Sequence, residues 1–215
     1  MVITSAIVSI GIIIACFAVG LISFYPLSDW PKAEKKRHIE ALTSQLLNFV
    51  IFVWVGKILL NPSLFIQDPM AVLAYPGNSG AFYLATLFTA IIVVYKSVYK
   101  NLDVLAFVEV FVHVFLVASF FYEFMQLVLG NHSYSLGYLI VLATLLVVFV
   151  SARGRLPMPR LLMTILVGWT AGMLVLTFVQ PFATVFGYII EPWFIGLFFI
   201  GCLLIVFVSK RKRDA

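Results

Sequence analysis

Charged residues and cysteine are scarce in this chain. Asp, Glu, Lys and Arg make up only 11% of its 215 residues, whereas hydrophobic residues make up 63%. The two cysteines, Cys16 and Cys202, lie in the middle of apolar segments, and the chain has no CxxC motif. Its histidines, His38, His113 and His132, are widely spaced in the sequence. This pattern gives no support to zinc binding, thiol redox chemistry or another metal centre, and we expect no cofactor.

Long apolar segments recur along the chain. The mean hydropathy is +1.12, and segments of about 20 apolar residues are typical of helices that cross a bilayer. We therefore predict an all-α polytopic membrane protein with seven transmembrane helices in one integral membrane domain, residues 1–215. The predicted spans are residues 2–25, 46–60, 81–95, 103–129, 136–150, 161–179 and 188–208, with an outer-leaflet helix at 68–75. The first span has neither a basic preceding region nor a small-residue cleavage site, so no cleaved signal peptide is expected.

The basic residues lie mainly in short loops beside the apolar segments. Cytoplasmic loops of membrane proteins carry an excess of Lys and Arg. If the N-terminus is outside, all basic residues but Lys57 fall on the cytoplasmic side: Lys32, Lys35, Lys36, Arg37, Lys96, Lys100, Arg153, Arg155, Arg160, Lys210, Arg211, Lys212 and Arg213. The first four are expected on a short cytoplasmic helix before the second span, either near anionic lipid headgroups or, as is more common for such a charge run, in a solvated connector. The net charge of +5 therefore predicts an N-out, C-in topology rather than a nucleic-acid partner.

The apolar segment from Asp103 to Leu129 contains three ionisable residues. Because an α-helix turns about 100° per residue, Glu109, His113 and Glu123 fall on one stripe of the helix. Ionisable groups at membrane depth are costly and usually face a bundle interior, a partner or water. The stripe indicates either polar groups that neighbouring helices satisfy or a cavity for a lipid headgroup, an ion or a substrate. As a helix of about 40 Å the segment should tilt, break or project beyond the hydrocarbon core.

The loop after the second predicted span reads NPSLFIQDPMAVLAYPGNSG, residues 61–80. Asp68 and Pro69 fit the N-cap and first position of a short helix. The loop resembles a phrase of the phosphatidylglycerol–prolipoprotein diacylglyceryl transferases of bacteria. The positions that carry the resemblance are Asn61, Leu64, Phe65, Asp68, Pro69, Leu73 and Gly77. It continues more weakly through residues 132–136 and the RLPMPR turn, and implies a seven-span, N-out and C-in fold from about residue 45 onwards.

Several residues of that family's signature are missing here. Gly80–Tyr83 lacks the histidine that opens the family's third span. Ala118–Asn131 lacks its arginine and paired asparagines, and Leu161–Pro181 lacks its arginine. In the family these groups would bind the phosphatidylglycerol phosphate and organise diacylglyceryl transfer to a cysteine thiol. Because an arginine fork matches phosphate in a bidentate geometry, we do not expect the same reaction by the same mechanism.

Other polar residues could build a different site. Glu109, His113 and Glu123 are candidate catalytic residues, because a histidine with a nearby carboxylate can act in general acid–base chemistry. Candidate lipid- or ligand-binding residues are Lys57, Asp68, Tyr83, Tyr122, Glu123, His132 and Glu191. Alternatively, Glu109 and His113 pair within their helix, and Lys57 extends its charge to the membrane interface.

Three functions remain open on the sequence. The first is a divergent, non-catalytic member of the family that binds phospholipid, or a lipoprotein or other membrane protein. The second is a lipid-modifying transferase with a rearranged site around His113. The third is a small transporter or channel along the polar stripe, although the chain lacks the pair of broken midplane helices found in many transporters. The resemblance places the protein in the bacterial cytoplasmic membrane.

Overall fold

Helices dominate the computed structural model, which describes residues 2–28, 30–74, 78–100, 102–130 and 135–214. The protein is 85% helical, which confirms the predicted all-α class. The helices are α1 Val2–Leu27, α2 Lys32–Leu60, α3 Pro62–Gln67, α4 Pro69–Ala74, α5 Ser79–Tyr99, α6 Val104–Val128, α7 Ser135–Ala152, α8 Met158–Val179 and α9 Pro192–Asp214. Between α8 and α9, β1 (Thr184–Val185) and β2 (Tyr188–Ile189) form an antiparallel hairpin.

The long helices have the length and surface of membrane spans. In the described parts of the chain, α1, α2, α5, α6, α7 and α8 are long and apolar enough to cross a bilayer, and α9 has a shorter apolar stretch, Pro192–Leu204. Large apolar side chains such as Ile14, Trp54 and Val147 are more than half exposed on the helix surfaces. An apolar exterior of this kind suits lipid. The chain is therefore a multi-pass membrane protein by its architecture.

Several boundaries differ from the prediction. A short cytoplasmic helix followed by a span at 46–60 was expected, but α2 is one continuous helix over Lys32–Leu60. Its sequence contains no proline and only one glycine, Gly56, so nothing interrupts the hydrogen bonding where the polar half meets the apolar half. The predicted start of the seventh span at Tyr188 belongs instead to the hairpin.

α6 is the central helix of the bundle. In an apolar window of 18 residues within this helix, 61% of the residues are buried, against 17–33% in the corresponding windows of the other candidate spans. It packs against α1 on one side and α7 on another, and also contacts α2, α8 and α9. Gly20 of α1 lets the backbones approach closely, because a Cβ there would lie 2.8 Å from the carbonyl oxygen of Val114. The ionisable groups of α6 are therefore enclosed by neighbouring helices.

The connections define two ends of the bundle. At one end lie the α1–α2, α5–α6 and α7–α8 connectors with their lysines and arginines, and we call it the basic end. At the other end α5 meets the hairpin and α9 through Tyr83, and Gly137 of α7 lies against Gln180. We call this the hairpin end. α6 runs from the basic end to the hairpin end.

The hairpin lies among the helices rather than above them. Its two turn residues, Phe186 and Gly187, have φ of 50° and 83°, as a two-residue hairpin turn requires. The Phe186 ring lies 5.0 Å from the ring of Phe17 and 6.0 Å from that of Phe115, which is near the midpoint of α6. Non-helical backbone at membrane depth is tolerated where protein or water satisfies its hydrogen bonds. Here α1 and α6 pack against the turn of the hairpin.

Candidate functional site

Glu109 forms a buried ion pair at the basic end. Its Oε1 accepts hydrogen bonds from Arg153 Nη2 at 3.0 Å and from Trp30 Nε1 at 3.4 Å. The side chains of Arg153 and Glu109 are only 13% and 6% exposed. In a charge pair shielded in this way, each charge compensates the other. The cluster joins α6 to the end of α7 and to the α1–α2 connector.

His113 lies four residues after Glu109, about one turn further along α6, and its side chain contacts α1. Its Nε2 is 3.0 Å from Ser23 Oγ, and Ser23 itself donates to the carbonyl of Gly20 at 2.8 Å. The Ser23 hydroxyl therefore lies between the Gly20 carbonyl and His113 Nε2, and the imidazole tautomer determines which atom donates in the contact with His113. Phe24 and Phe149 meet the imidazole edge-on. The arrangement joins α1 to α6.

Glu123 belongs to a separate polar cavity at the hairpin end. Its side chain is 2% exposed, and Oε1 has no hydrogen-bond partner among the residues that the structure describes. Ser135 lies within side-chain hydrogen-bonding reach of the carboxyl group. The cavity has a volume of about 10 Å³ and is lined by Glu123, Ser135, Tyr138, Leu176, Gln180, Phe182, Ala183 and Thr184. A volume of this size accommodates a group about as large as one water molecule.

A buried hydrogen bond fixes one wall of this cavity. Tyr138 Oη accepts from Trp169 Nε1 at 3.0 Å, and both side chains are buried. Phe182, Ala183 and Thr184 come from the segment that leads into the hairpin. An acidic oxygen therefore faces a rigid cavity between α6, α7, α8 and the hairpin, where it can accept a hydrogen bond from a ligand.

The three candidate catalytic residues do not form one site. Glu109, His113 and Glu123 are all buried, as the helical wheel predicts. Glu109 and Glu123, however, are 14 positions apart, which corresponds to about 21 Å along a helix. Glu109 binds Arg153 and Trp30, which lie in connectors at the basic end, and His113 contacts Ser23 of α1. The predicted stripe therefore consists of two separate sites. Glu109 and His113 belong to a cluster at the basic end, which we call the basic-end cluster, and Glu123 belongs to the cavity at the hairpin end.

The other predicted ligand-binding residues have mostly structural contacts. Tyr83 Oη donates to the carbonyl of Ile189 at 3.1 Å and accepts from the N–H of Glu191 at 2.9 Å, which holds the hairpin to α5. Tyr122 is buried and its ring lies 5.4 Å from that of Phe186. These two residues support the hairpin and do not line the cavity.

Three further candidates, Asp68, Glu191 and Lys57, lie at or near the surface of the hairpin end. Asp68 is exposed and caps α4, accepting from the N–H of Ala71 at 3.0 Å, as predicted. Glu191 is exposed and Lys57 is half-buried. His132 lies outside the described residues. None of the described three contributes to the cavity lining.

Sequence reasoning missed several partners of the predicted residues. Arg153 was assigned to a solvent-facing loop, whereas it pairs with Glu109 inside the bundle. Ser23, Ser135 and Gln180 carry no motif that distinguishes them from other polar residues in membrane helices. Of these residues, only Arg153 could have been identified from the sequence, because an acidic residue near the basic end of an apolar helix needs a counter-charge at the same depth.

Comparison with known proteins adds no relative. No protein-family model, curated protein or solved structure matches this chain. Among the residues that the structure describes, no three His, Cys, Asp or Glu side chains come together as metal ligands would.

Proposed function

We propose that the chain crosses a bacterial cytoplasmic membrane seven times, with its N-terminus outside and its C-terminus inside. Six helices have the length and hydropathy of spans, and α9 would be the seventh, because its apolar sequence runs from Pro192 to Val208. This topology puts every basic residue except Lys57 on the cytoplasmic side, in agreement with the positive-inside rule. The basic end would then face the cytoplasm and the hairpin end the outer surface.

We infer that the protein acts by binding rather than by catalysis, and that it holds the headgroup of a membrane phospholipid at the hairpin end. The observation that carries this proposal is Glu123, whose buried Oε1 faces the polar cavity without a partner in the described chain. A buried polar atom of this kind has lost its hydration, so a ligand that hydrogen-bonds to it is strongly favoured. The proposal keeps the diacylglyceryl-transferase-like character that the sequence suggests, without its reaction.

The geometry favours binding over a rearranged transferase site. A general base and a nucleophile must lie within hydrogen-bonding reach of each other. Glu109 is held by Arg153 and Trp30, and His113 lies about 15 Å along α6 from Glu123, so neither residue reaches the hairpin-end cavity. Among the residues that the structure describes, the lining of the hairpin-end cavity consists of one carboxylic acid with hydroxyl, amide and apolar groups, and includes no histidine or cysteine.

Native mass spectrometry of protein purified gently from its host membrane tests the proposal. We expect one phospholipid retained per wild-type chain and none per Glu123→Leu chain, because leucine fills the space without accepting a hydrogen bond. Glu191→Gln is the matched control, since it removes an acid from the same end but outside the cavity. A wild-type protein without lipid, or equal retention by Glu123→Leu, would contradict the proposal. Transfer of a lipid group to a cysteine-bearing peptide would favour the enzyme instead.

A further inference from the structure

The acidic residues of the hairpin end suggest which headgroup chemistry the cavity takes. Among the residues that the structure describes, this end carries Asp68, Glu123 and Glu191, and its one basic residue is Lys57. The arginines, which bind phosphate best through their bidentate fork, all lie towards the opposite end of the bundle, as Arg153 after α7 and Arg160 in the first turn of α8 do. An anionic phosphate therefore finds its counter-charges far from this cavity.

The cavity lining is suited to a hydrogen-bond donor. Glu123 Oε1 is a buried acceptor without a partner among the described residues. The Ser135 hydroxyl and the side chains of Gln180 and Thr184 line the same space. A buried carboxylate is stable in its ionised form only when a positive group or several donors face it. A ligand that brings a positive charge and N–H donors together meets both needs.

The size of the cavity further limits which chemical groups it can bind. Its volume of about 10 Å³ accommodates a group close in size to one water molecule. A primary ammonium group has that size and three N–H donors. A trimethylammonium group is much larger and has no N–H, and a phosphate is both larger and of the wrong charge.

We propose that the hairpin-end cavity is a recognition site for a primary ammonium group, with Glu123 as its counter-ion and Ser135 as a second acceptor. This inference rests on the proposed binding of phospholipid at the hairpin end. The ammonium group belongs to an ethanolamine headgroup and is the only part of the lipid that enters the cavity. The phosphate, glycerol and acyl chains lie outside the cavity, with the acyl chains along the apolar helix surfaces. A small free amine carries the same chemistry without the lipid anchor.

The test compares lipids that differ in the headgroup amine. The protein is placed in nanodiscs with equal amounts of phosphatidylethanolamine, phosphatidylcholine and phosphatidylglycerol, and retained lipids are identified by native mass spectrometry. We expect about a 10-fold or greater preference of wild type for phosphatidylethanolamine, because hydrogen bonds between charged groups are about twice as strong as neutral ones. Glu123→Gln should reduce the preference to near unity, and Ser135→Ala should reduce it in part. Glu191→Gln should behave as wild type.

Each outcome has a distinct meaning. Lipid retained without preference, or a preference that Glu123→Gln leaves unchanged, would overturn the ammonium site while leaving phospholipid binding intact. Equal retention of phosphatidylcholine would overturn the role of the N–H donors. If no lipid is retained by any variant, the proposed function fails as well. Displacement of the lipid by millimolar ethanolamine would support the ammonium site and identify the amine alone as sufficient. Matched thermal unfolding curves for Glu123→Gln and Glu191→Gln verify that both are folded.

Discussion

Glu109 and Arg153 are 44 positions apart in the chain, yet Glu109 Oε1 and Arg153 Nη2 meet at 3.0 Å inside the bundle. One residue lies on an apolar helix and the other directly follows the end of α7. The ion pair fixes the basic ends of α6 and α7 to each other. Because both charges are shielded from water, neither can be removed without leaving the other uncompensated.

Breaking this ion pair should destabilise the protein strongly. Arg153→Met leaves the Glu109 carboxylate buried without its counter-charge, which costs about 3–5 kcal/mol. The double variant Glu109→Leu/Arg153→Met should recover most of that loss, because it removes both charges. Unfolding in detergent, followed by circular dichroism, measures these differences. Arg155→Gln, at an exposed position of the same loop, should change stability by less than about 0.5 kcal/mol. Equal losses in the single and double variants would contradict a pairwise interaction.

Removing the Tyr83 hydroxyl should loosen the hairpin. Tyr83→Phe leaves the Ile189 carbonyl and the Glu191 N–H without their partner, at a cost of about 1–3 kcal/mol. Hydrogen exchange followed by mass spectrometry should show faster exchange at residues 184–191 than in wild type. Tyr95→Phe is the control, because Tyr95 is on the same helix and 50% exposed. Unchanged exchange in the hairpin would show that Tyr83 does not hold it.

A side chain at Gly187 should be poorly tolerated. At φ of 83° an alanine costs about 1–2 kcal/mol, and its Cβ would lie 2.9 Å from Tyr122 Oη. Gly187→Ala should therefore lower the thermal unfolding temperature and displace the hairpin from α6. Gly196→Ala provides the comparison, since nothing lies within 4 Å of a Cβ at that position. The relevant result is the difference between the two variants, and an equal effect would argue against strain at the turn.

A substitution of His113, in the cluster at the basic end, should leave lipid binding at the hairpin end unchanged. His113→Ala removes the contact with Ser23 and leaves a cavity where a buried imidazole stood, so it should reduce stability. Retention of phospholipid measured by native mass spectrometry should stay within about two-fold of wild type, because Glu123 lies about 15 Å further along α6. Loss of lipid in a folded His113→Ala protein would indicate a single site that runs the length of the helix.

Hydropathy alone predicts much of the helical architecture. The length of a span is set by the thickness of the hydrocarbon core, so the extent of α6 follows closely from the sequence. Asp103 was taken as the start of this segment, and its carboxylate accepts from the N–H groups of Leu105 and Ala106 as the N-cap. Asp68 caps α4 as predicted. These features depend on local chemistry, which a single sequence contains.

The site could be predicted only in part, because it depends on which helices are neighbours. The helical wheel correctly placed Glu109 and Glu123 on one buried face. A wheel is a projection along the helix axis and contains no axial distance, so it could not show that the two residues belong to separate sites. Arg153 followed the pattern of a cytoplasmic loop residue, and its pairing requires α7 to pack beside α6. The hairpin has strands of two residues and a phenylalanine at positive φ. It lacks the Asn-Gly or Asp-Gly signal by which such turns are recognised.

The position of Phe186 also has a consequence for biosynthesis. Its ring packs on Phe17 of α1 and Phe115 of α6. The Tyr83 hydroxyl likewise binds the carbonyl of Ile189, which is 106 positions later in the chain. A ribosome delivers α1, α5 and α6 to the membrane well before residues 183–190, since chains emerge from their N-terminus. Insertion of the early helices and closure of the bundle are therefore separate events in time. During that interval the faces of α1 and α6 that later meet Phe186 are open to lipid or to the insertion machinery.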